Sequence, residues 1–396
     1  MYDVAVVGAG PAGCAAALRI LQLCPQAQVV LIEPAVFPRD KTCGDGIAPQ
    51  VFDVFDALGV HGLAAGYPPV SVLAVRAPGG EQVARRMARP ARVIPRLVFD
   101  ARLVHAARAR GARWIEHRVR HLDVHADRVV LDGEIAARVV IGADGATGVI
   151  RRRLGLDRNR NGTLAVALRG YTTADLHPQT MLIAVSRQHC PAYAWSFPIG
   201  DGRANVGFGV FTRQLAGGKA KLLDRLAAEL PGQLPDPATV SAHQLPLSTG
   251  RPALPDGRLL LVGDAAGLVN AVTGEGIYYA ALSGALAGQA ALAGAAAGAR
   301  YRTALHTALT RHHRHTAALA WCARSARFVD ATVTTARRRR QVFDAVVDLG
   351  LGHGTVNPAT LAAVGAGYLT GLLEELAGRI PRPGWSMSDR SIIPAE

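Results

Sequence analysis

The residues best placed to do chemistry come first in the chain. Gly8-Ala9-Gly10-Pro11-Ala12-Gly13 directly follows the apolar run Tyr2–Val7, and Glu33 closes a second apolar run, Val29–Ile32. In such a turn Gly8 permits the sharp bend, Gly10 lets backbone approach a pyrophosphate, and Gly13 lets the next helix pack close to the strand. Pro11 and Ala12 complete the fingerprint as candidate cofactor-binding residues, and Gly13 opens a helix whose N-terminus favours phosphate. A carboxylate at the position of Glu33 accepts hydrogen bonds from an adenosine ribose. Three later turns repeat the theme: Gly142-Ala143-Asp144-Gly145, Gly263-Asp264-Ala265-Ala266-Gly267 and Thr273-Gly274-Glu275-Gly276-Ile277. FAD needs a carboxylate near its ribityl hydroxyls and small residues beside its isoalloxazine. Asp264 suits the first need, and Gly274 and Gly276 at the head of a long helix suit the second. The cofactor implied is FAD rather than NAD alone.

The elements that must position these residues are legible. Strands are expected at 2–7, 29–33, 137–142 and 259–262, with a helix from Gly13 to about Leu23. Residues 70–90 read as a hairpin turning at Pro78-Gly79-Gly80. Pro95–Arg110 reads as a helix, 114–142 as three short strands, and 163–211 as an antiparallel sheet. Leu215–Leu230 reads as a helix, and the chain is helical from Gly276 almost to Gly378. The fold class is α/β (α+β): a Rossmann-like FAD-binding domain interleaved with an antiparallel-sheet substrate domain, then a helical C-terminal region. The boundaries are 1–70, 91–160 and 250–300 for the first, 71–90 and 161–249 for the second, and 301–396 for the third.

Bulk properties narrow the class. The chain has 396 residues, 49% of them hydrophobic, enough for a sizeable core. No 18-residue apolar run stands out, so no spanning helix is expected, and the immediate start on a core strand points to a cytoplasmic protein without a signal peptide. Five cysteines, an odd number without a CxxC pair, imply free thiols. The net charge of +14 attracts polyanions. An anionic membrane surface, an acidic carrier protein or an anionic substrate fits that charge, as does simple arginine-rich codon usage. No nucleic-acid motif accompanies the charge, so nucleic acid is not an expected partner.

The glycine fingerprint with Glu33 and the Asp144 and Asp264 segments resemble the FAD-dependent superfamily with the para-hydroxybenzoate hydroxylase-like fold. Four further pieces resemble its geranylgeranyl reductase family. They are Pro38-Arg39-Asp40-Lys41-Thr42-Cys43-Gly44-Asp45-Gly46; Arg96 with Phe99-Asp100; Pro191-Ala192-Tyr193-Ala194-Trp195-Ser196-Phe197-Pro198; and Gly267–Asn270 continuing through Thr273–Ala280. The resemblance implies that Cys43, beside Gly44, lies close to the flavin and shapes the site or relays a proton. A small buried hydrophobe is the alternative. It implies that Arg96 contacts the cofactor and that Tyr193 and Trp195 line a lipid cavity over the flavin; a core aromatic pair is the alternative. Arg39 and Lys41 suit the pyrophosphate or a solvated loop equally.

The same resemblance implies reduction of a carbon–carbon double bond in a prenyl-like or other apolar substrate by hydride from reduced flavin. A single-component flavin monooxygenase acting on an aromatic or carrier-bound intermediate is the rival. No second glycine fingerprint marks a resident nicotinamide domain, so NAD(P)H or another external reductant is the expected donor. Two positions depart from the family pattern: Ala271 stands where a proline is usual, and Gly148 where a serine is usual. His312, His313 and His315 alternate with arginines, which disfavours a metal site. Arg337–Arg340 is expected on a helical stretch, as a solvated face or as the contact for a membrane surface or acidic carrier.

Overall fold

A computed structural model describes residues 1–156, 159, 162–173, 178–215 and 217–379. Positions 380–396 of the expected helical C-terminal region lie outside them. The chain opens with β1 (Tyr2–Val7), α1 (Pro11–Leu23) and β2 (Val29–Ile32), then β3 (Gly46–Ile47) and α2 (Pro49–Ala57). The hairpin β4 (Val70–Arg76) and β5 (Gln82–Val93) precedes α3 (Arg96–Ala109). Next come β6 (Arg113–Ile115), β7 (Leu122–Val124), β8 (Val129–Leu131), β9 (Ile135–Gly142) and α4 (Val149–Arg153). The strands β10 (Leu164–Thr172), β11 (Thr180–Val185), β12 (Tyr193–Pro198) and β13 (Ala204–Phe211) lead to α5 (Gly218–Glu229), β14 (Ser241–Pro246) and β15 (Leu259–Leu261). Helices α6 (Ile277–Ala291), α7 (Ala297–Cys322), α8 (Ala326–Arg338), α9 (Arg340–Leu351) and α10 (Pro358–Arg379) follow.

Two sheets organise these elements. The seven-stranded sheet runs β6-β2-β1-β9-β8-β7, with β15 also paired to β9. Its centre is parallel: β1 pairs with β2 and β9, and β15 with β9. Both faces are covered, which is why these strands read as unbroken apolar runs. Val4 to Val7 and Val29 to Ile32 are all buried. Their carboxyl ends bring Gly8, Glu33, Asp144 and Gly263 to one edge, the usual ligand crevice of a parallel sheet. The eight-stranded sheet runs β14-β10-β13-β12-β11-β4-β5-β3 and is antiparallel except between β11 and β4. Helices α8 and α9 pack against β5 and α10 packs on those two helices, burying Leu73, Met87, Val333, Phe343 and Val364 in one cluster.

Four expectations need correction. The first helix begins at Pro11, not Gly13, because proline at N1 loses no helical hydrogen bond. Residues 113–142 hold β6 to β9 rather than three strands, since the break at Asp132-Gly133, where both have positive φ, makes an extra hairpin. The helix expected from Leu215 starts at Gly218, where glycines with positive φ end the preceding turn. Arg337–Arg340 is not one helical face: Arg339 is extended (φ −121°) and separates α8 from α9. All four arginines are exposed; Arg337 pairs with Glu81 at 3.2 Å and Arg340 with Asp344 at 2.8 Å.

Helix α6 touches α1 backbone to backbone. A Cβ at Gly284 would lie 2.1 Å from the Ala12 carbonyl oxygen, and one at Gly288 would lie 2.4 Å from that of Ala16. Neither carbonyl can retreat, because both belong to a helix held on the sheet. Gly288→Ala therefore forces the two helices apart. We expect it to lower stability by about 1–3 kcal/mol in chemical denaturation; an unchanged midpoint refutes the close-packing account.

Candidate active site

The crevice has a nucleotide end and a redox end. At the nucleotide end Gly8 has φ +103°, and a Cβ there would lie 2.3 Å from the Ala143 carbonyl oxygen, so β1 and the Ala143 turn touch directly. Glu33 Oε2 accepts from the Ala9 N–H at 3.0 Å and Oε1 from the Ala35 N–H at 3.2 Å. The acid thus holds the glycine turn as well as facing a cavity of about 560 Å³ that it lines with Gly8, Asp144 and Thr147. Asp144 Oδ2 accepts from the Ile150 N–H at 3.0 Å and so caps α4, and burial raises its carboxyl. Its Oδ1 is buried without a partner. The glycine at 148 has a steric cause: a Cβ there would lie 2.2 Å from the Asp144 carboxyl carbon.

These residues fit FAD. Asp144 Oδ1 is an orphaned acceptor among the residues of the nucleotide cavity. The first turn of α1 has no side-chain cap, so its N–H groups are open to an anion. A Cβ on Gly10 would find only the Arg39 Nη2 atom, 3.9 Å away, so the space above this glycine is free for a ligand.

The redox end is a cavity of about 380 Å³ between the carboxyl edge of the first sheet and the face of the second. Gly10, Pro11, Ala12, Lys41, Gly44, Arg96 and Ala143 line it from one side, and Asp264 with Gly274, Glu275, Gly276 and Ile277 from another. Gly13 is buried in α1 and Gly263 lies under the turn, its N–H donated to Ser283 Oγ at 3.0 Å. Lys41 Nζ lies 3.4 Å from Asp264 Oδ2, and His243 Nε2 lies 3.9 Å from the same oxygen. Burial alone would raise the Asp264 carboxyl, but Lys41 and His243 outweigh it and hold it well below the usual carboxylate range. Arg96 is buried and makes two 2.7 Å bonds to Asp100, and Arg39 reaches the same carboxylate at 3.1 Å. One acid therefore steadies both arginines. Glu275 Oε1 accepts from the Tyr278 N–H at 2.9 Å at the head of α6, and burial pushes its carboxyl up to about 7.

Cys43 is half-buried and lines this cavity. Burial raises its thiol, with Arg96 opposing that effect, so the thiol is neutral at physiological pH. Tyr193 and Trp195 do share one face of β12 and both line the cavity. The Tyr193 hydroxyl donates to the Thr273 carbonyl, tying β12 to the turn that precedes α6. Trp195 Nε1 donates to Asn205 Oδ1 at 2.9 Å, and its ring is boxed by glycines: a Cβ at Gly207 would lie 2.2 Å from the indole, and one at Gly44 3.3 Å. The histidines of α7 serve packing contacts: His312 bonds the Tyr279 hydroxyl and the Gly354 carbonyl, each at 2.8 Å, and His315 accepts from the Val356 N–H at 2.9 Å.

Sequence reasoning missed His243, Asp45, Tyr171, Asn205 and Asn270. Asn205 had a signal, as the one polar residue in the apolar strand Ala204–Phe211. Asn270 is buried and fastens the flavin-side turn, its Oδ1 accepting from the Val272 N–H at 2.8 Å and its Nδ2 donating to the Tyr279 hydroxyl at 2.9 Å.

A parallel-sheet crevice of this kind, closed by a second sheet over a redox cavity, defines a dinucleotide-dependent flavoprotein. Residues 1–321 match the family described as "FAD binding domain". The chain belongs to that family and, within it, is a flavin-dependent oxidoreductase of the geranylgeranyl reductase kind. It is 33% identical over 312 residues to the menaquinone reductase of Mycobacterium tuberculosis, covering 72% of this chain and 76% of that one. It is 31% identical over 313 residues to digeranylgeranylglycerophospholipid reductase 1 of Methanopyrus kandleri, covering 74% and 80%. The fold is shared with a geranylgeranyl bacteriochlorophyll reductase-like protein of Thermoplasma acidophilum, with a TM-score of 0.77 at 21% identity over 95% of this chain and 98% of that one.

Two outcomes follow for the acids. Glu33→Ala removes the carboxylate that holds the Ala9 N–H, and FAD affinity, read by flavin fluorescence titration, falls by about 1–3 kcal/mol; unchanged affinity refutes the assignment. Glu275 has its carboxyl raised on folding, so the folded chain binds that proton more tightly than the unfolded chain. Its contribution is present below the unfolded pKa and is lost as pH rises through about 7. Apo Glu275→Gln should therefore exceed wild type in stability by on the order of 2 kcal/mol near pH 8 and by much less near pH 5. Equal differences at the two pH values, in thermal melts, refute it.

Proposed function

We propose that this chain reduces carbon–carbon double bonds in a prenyl-like chain, with NAD(P)H or a reduced carrier as the external electron donor. One observation carries the reading: the part of the redox cavity built by β4, β5, β11, α8 and α9 contains no charged side chain. Leu73, Met87, Met181, Ile183, Val333 and Val347 are typical of it. Such a lining binds an isoprenoid by removing apolar surface from water and offers nothing to a polar aromatic acid. The two curated relatives carry names that refer to prenylated quinone and prenylated lipid, which supports the same substrate class.

Reduced FAD supplies the hydride when bound. The residues around it supply the rest. The apolar wall excludes water and orients the alkene. Cys43 keeps a proton on Sγ at the cavity face, and Arg96 stabilises the thiolate left once that proton goes to the second alkene carbon. Arg39, Lys41 and Asp264 would hold the dinucleotide, and Gly274 to Ile277 would turn the positive head of α6 toward it. Tyr193 and Trp195 act as the fixed wall opposite. Among the described residues no helix is long and apolar enough to cross a membrane. We assign the exposed Arg337–Arg340 stretch to contact with the anionic membrane surface from which such a lipid is drawn.

Anaerobically reduced holoenzyme mixed with an unsaturated menaquinone should return to the oxidised flavin spectrum and give a product that, after air has returned any quinol to quinone, is still heavier by two hydrogens located in the isoprenoid chain. An oxygen-dependent transient and a product heavier by one oxygen atom would instead establish the monooxygenase. Cys43→Ala should keep its flavin and lose about 10²-fold in turnover, the lower range for a general acid; full turnover leaves Cys43 as packing.

A further inference from the structure

Asp45 lies two residues beyond Cys43, is fully buried, and has φ +59°, a left-handed conformation that a residue with a side chain adopts at a cost. Both carboxylate oxygens are used. Oδ2 accepts from the Tyr171 hydroxyl at 2.6 Å and from Asn205 Nδ2 at 2.8 Å, and Oδ1 accepts from the Arg96 backbone N–H at 3.3 Å. The Asp45 carbonyl also accepts from the Ile94 N–H at 2.8 Å. The second proton of Asn205 Nδ2 goes to the Cys43 carbonyl at 2.8 Å, while Asn205 Oδ1 takes the Trp195 indole N–H.

This carboxylate therefore joins four parts of the molecule: the Cys43 loop, β10 through Tyr171, β13 through Asn205, and the first N–H of α3 at Arg96. Behind Tyr171 the Arg169 guanidinium stacks 4.8 Å from the ring and is held by Asp40 at 2.6 Å, so the phenol has little freedom. A buried carboxylate in a strained loop costs stability that an apolar contact would not. Its geometry bears on both groups assigned to the proton transfer, the Cys43 thiol and the Arg96 guanidinium.

We propose that Asp45 is a positioning residue of the reaction: it sets the register of Cys43 and Arg96 against the aromatic wall. The proposal rests on the reading of Cys43 as proton donor. The groups facing Asp45 are Tyr171 and Arg169 from β10, Asn205 from β13, Arg96 from α3 and Cys43 from its own loop. Burial raises its carboxyl to about 6, with the Tyr171 and Asn205 donors opposing that rise. Acidification through that range converts the shared acceptor into a donor and slackens the clamp.

The test uses holoenzyme of Tyr171→Phe and Asp45→Asn. Three quantities are read: FAD affinity, kcat and KM for an unsaturated menaquinone, and the rate at which iodoacetamide alkylates Cys43, followed by peptide mass. Both variants should keep FAD affinity and KM within about threefold, lose at least about tenfold in kcat, and alkylate Cys43 several times faster. Tyr171→Phe should also move the acidic limb of the kcat profile to higher pH, since the carboxylate loses a donor. FAD affinity falling in step with kcat, or unchanged kcat and alkylation, overturns the proposal. Should Asp45→Asn not fold, Tyr171→Phe decides alone. Full activity of Cys43→Ala would sink the proton-donor reading, whereas the alkylation rates report on the clamp independently.

Discussion

The contact between α1 and α6 fixes most of what matters in this molecule. With glycines at 284 and 288 the two helices approach until backbone meets backbone. The two run in the same direction, Ala12 facing Gly284 and Ala16 facing Gly288, so both N-termini point to the same sheet edge, with α6 reaching further. One opens at Pro11 beside the glycine turn, the other at Ile277 beside Gly276 and Glu275. Both positive helix ends thus bear on one crevice, which suits a cofactor that carries a pyrophosphate at one end and gains negative charge on a flavin ring at the other.

Around that pair the site separates by polarity. Lys41, Asp264, His243, Arg96 and Glu275 gather on one side, while β4, β5 and β11 with helices α8 and α9 provide a hydrocarbon wall. Such a division keeps charges near partners and leaves the reacting bond in a dry setting. The neutral thiol of Cys43 stands on the boundary. Its neighbours are arranged by hydrogen bonds that tie the Cys43–Asp45 loop to β13 of the eight-stranded sheet through Asn205.

Much of this was readable in the chain itself, for local reasons. The turns after β1, β9 and β15 each follow an apolar strand with small residues, those after β9 and β15 carry an acid and the acid of the first sits at the end of β2, so their meaning needs only a few neighbouring positions. Tyr193 and Trp195 fall on one face because a strand alternates. The Asp45 clamp was not readable, because its members come from positions 45, 96, 171 and 205 and meet only once the eight-stranded sheet has formed and α3 has docked beside it. Gly284 and Gly288 were hidden for another reason: within an Ala-rich helix they look like composition, and only the facing carbonyls of α1 reveal the need. The break at Arg339 escaped because local helix propensity on both sides is high and packing against β5 decides the turn.

The wall furnished by α8 and α9 begins at Ala326, past residue 321 where the family-wide match stops. The surface that meets the guest is thus assembled from two distant stretches, with β4, β5 and β11 inside the matched region and α8 and α9 beyond it. Asn270 Nδ2 donates to the Leu349 carbonyl at 2.9 Å and Thr273 Oγ1 to that of Gly350 at 2.8 Å, so a change in the later stretch that reshapes the hydrocarbon pocket is transmitted directly to the turn at the head of α6.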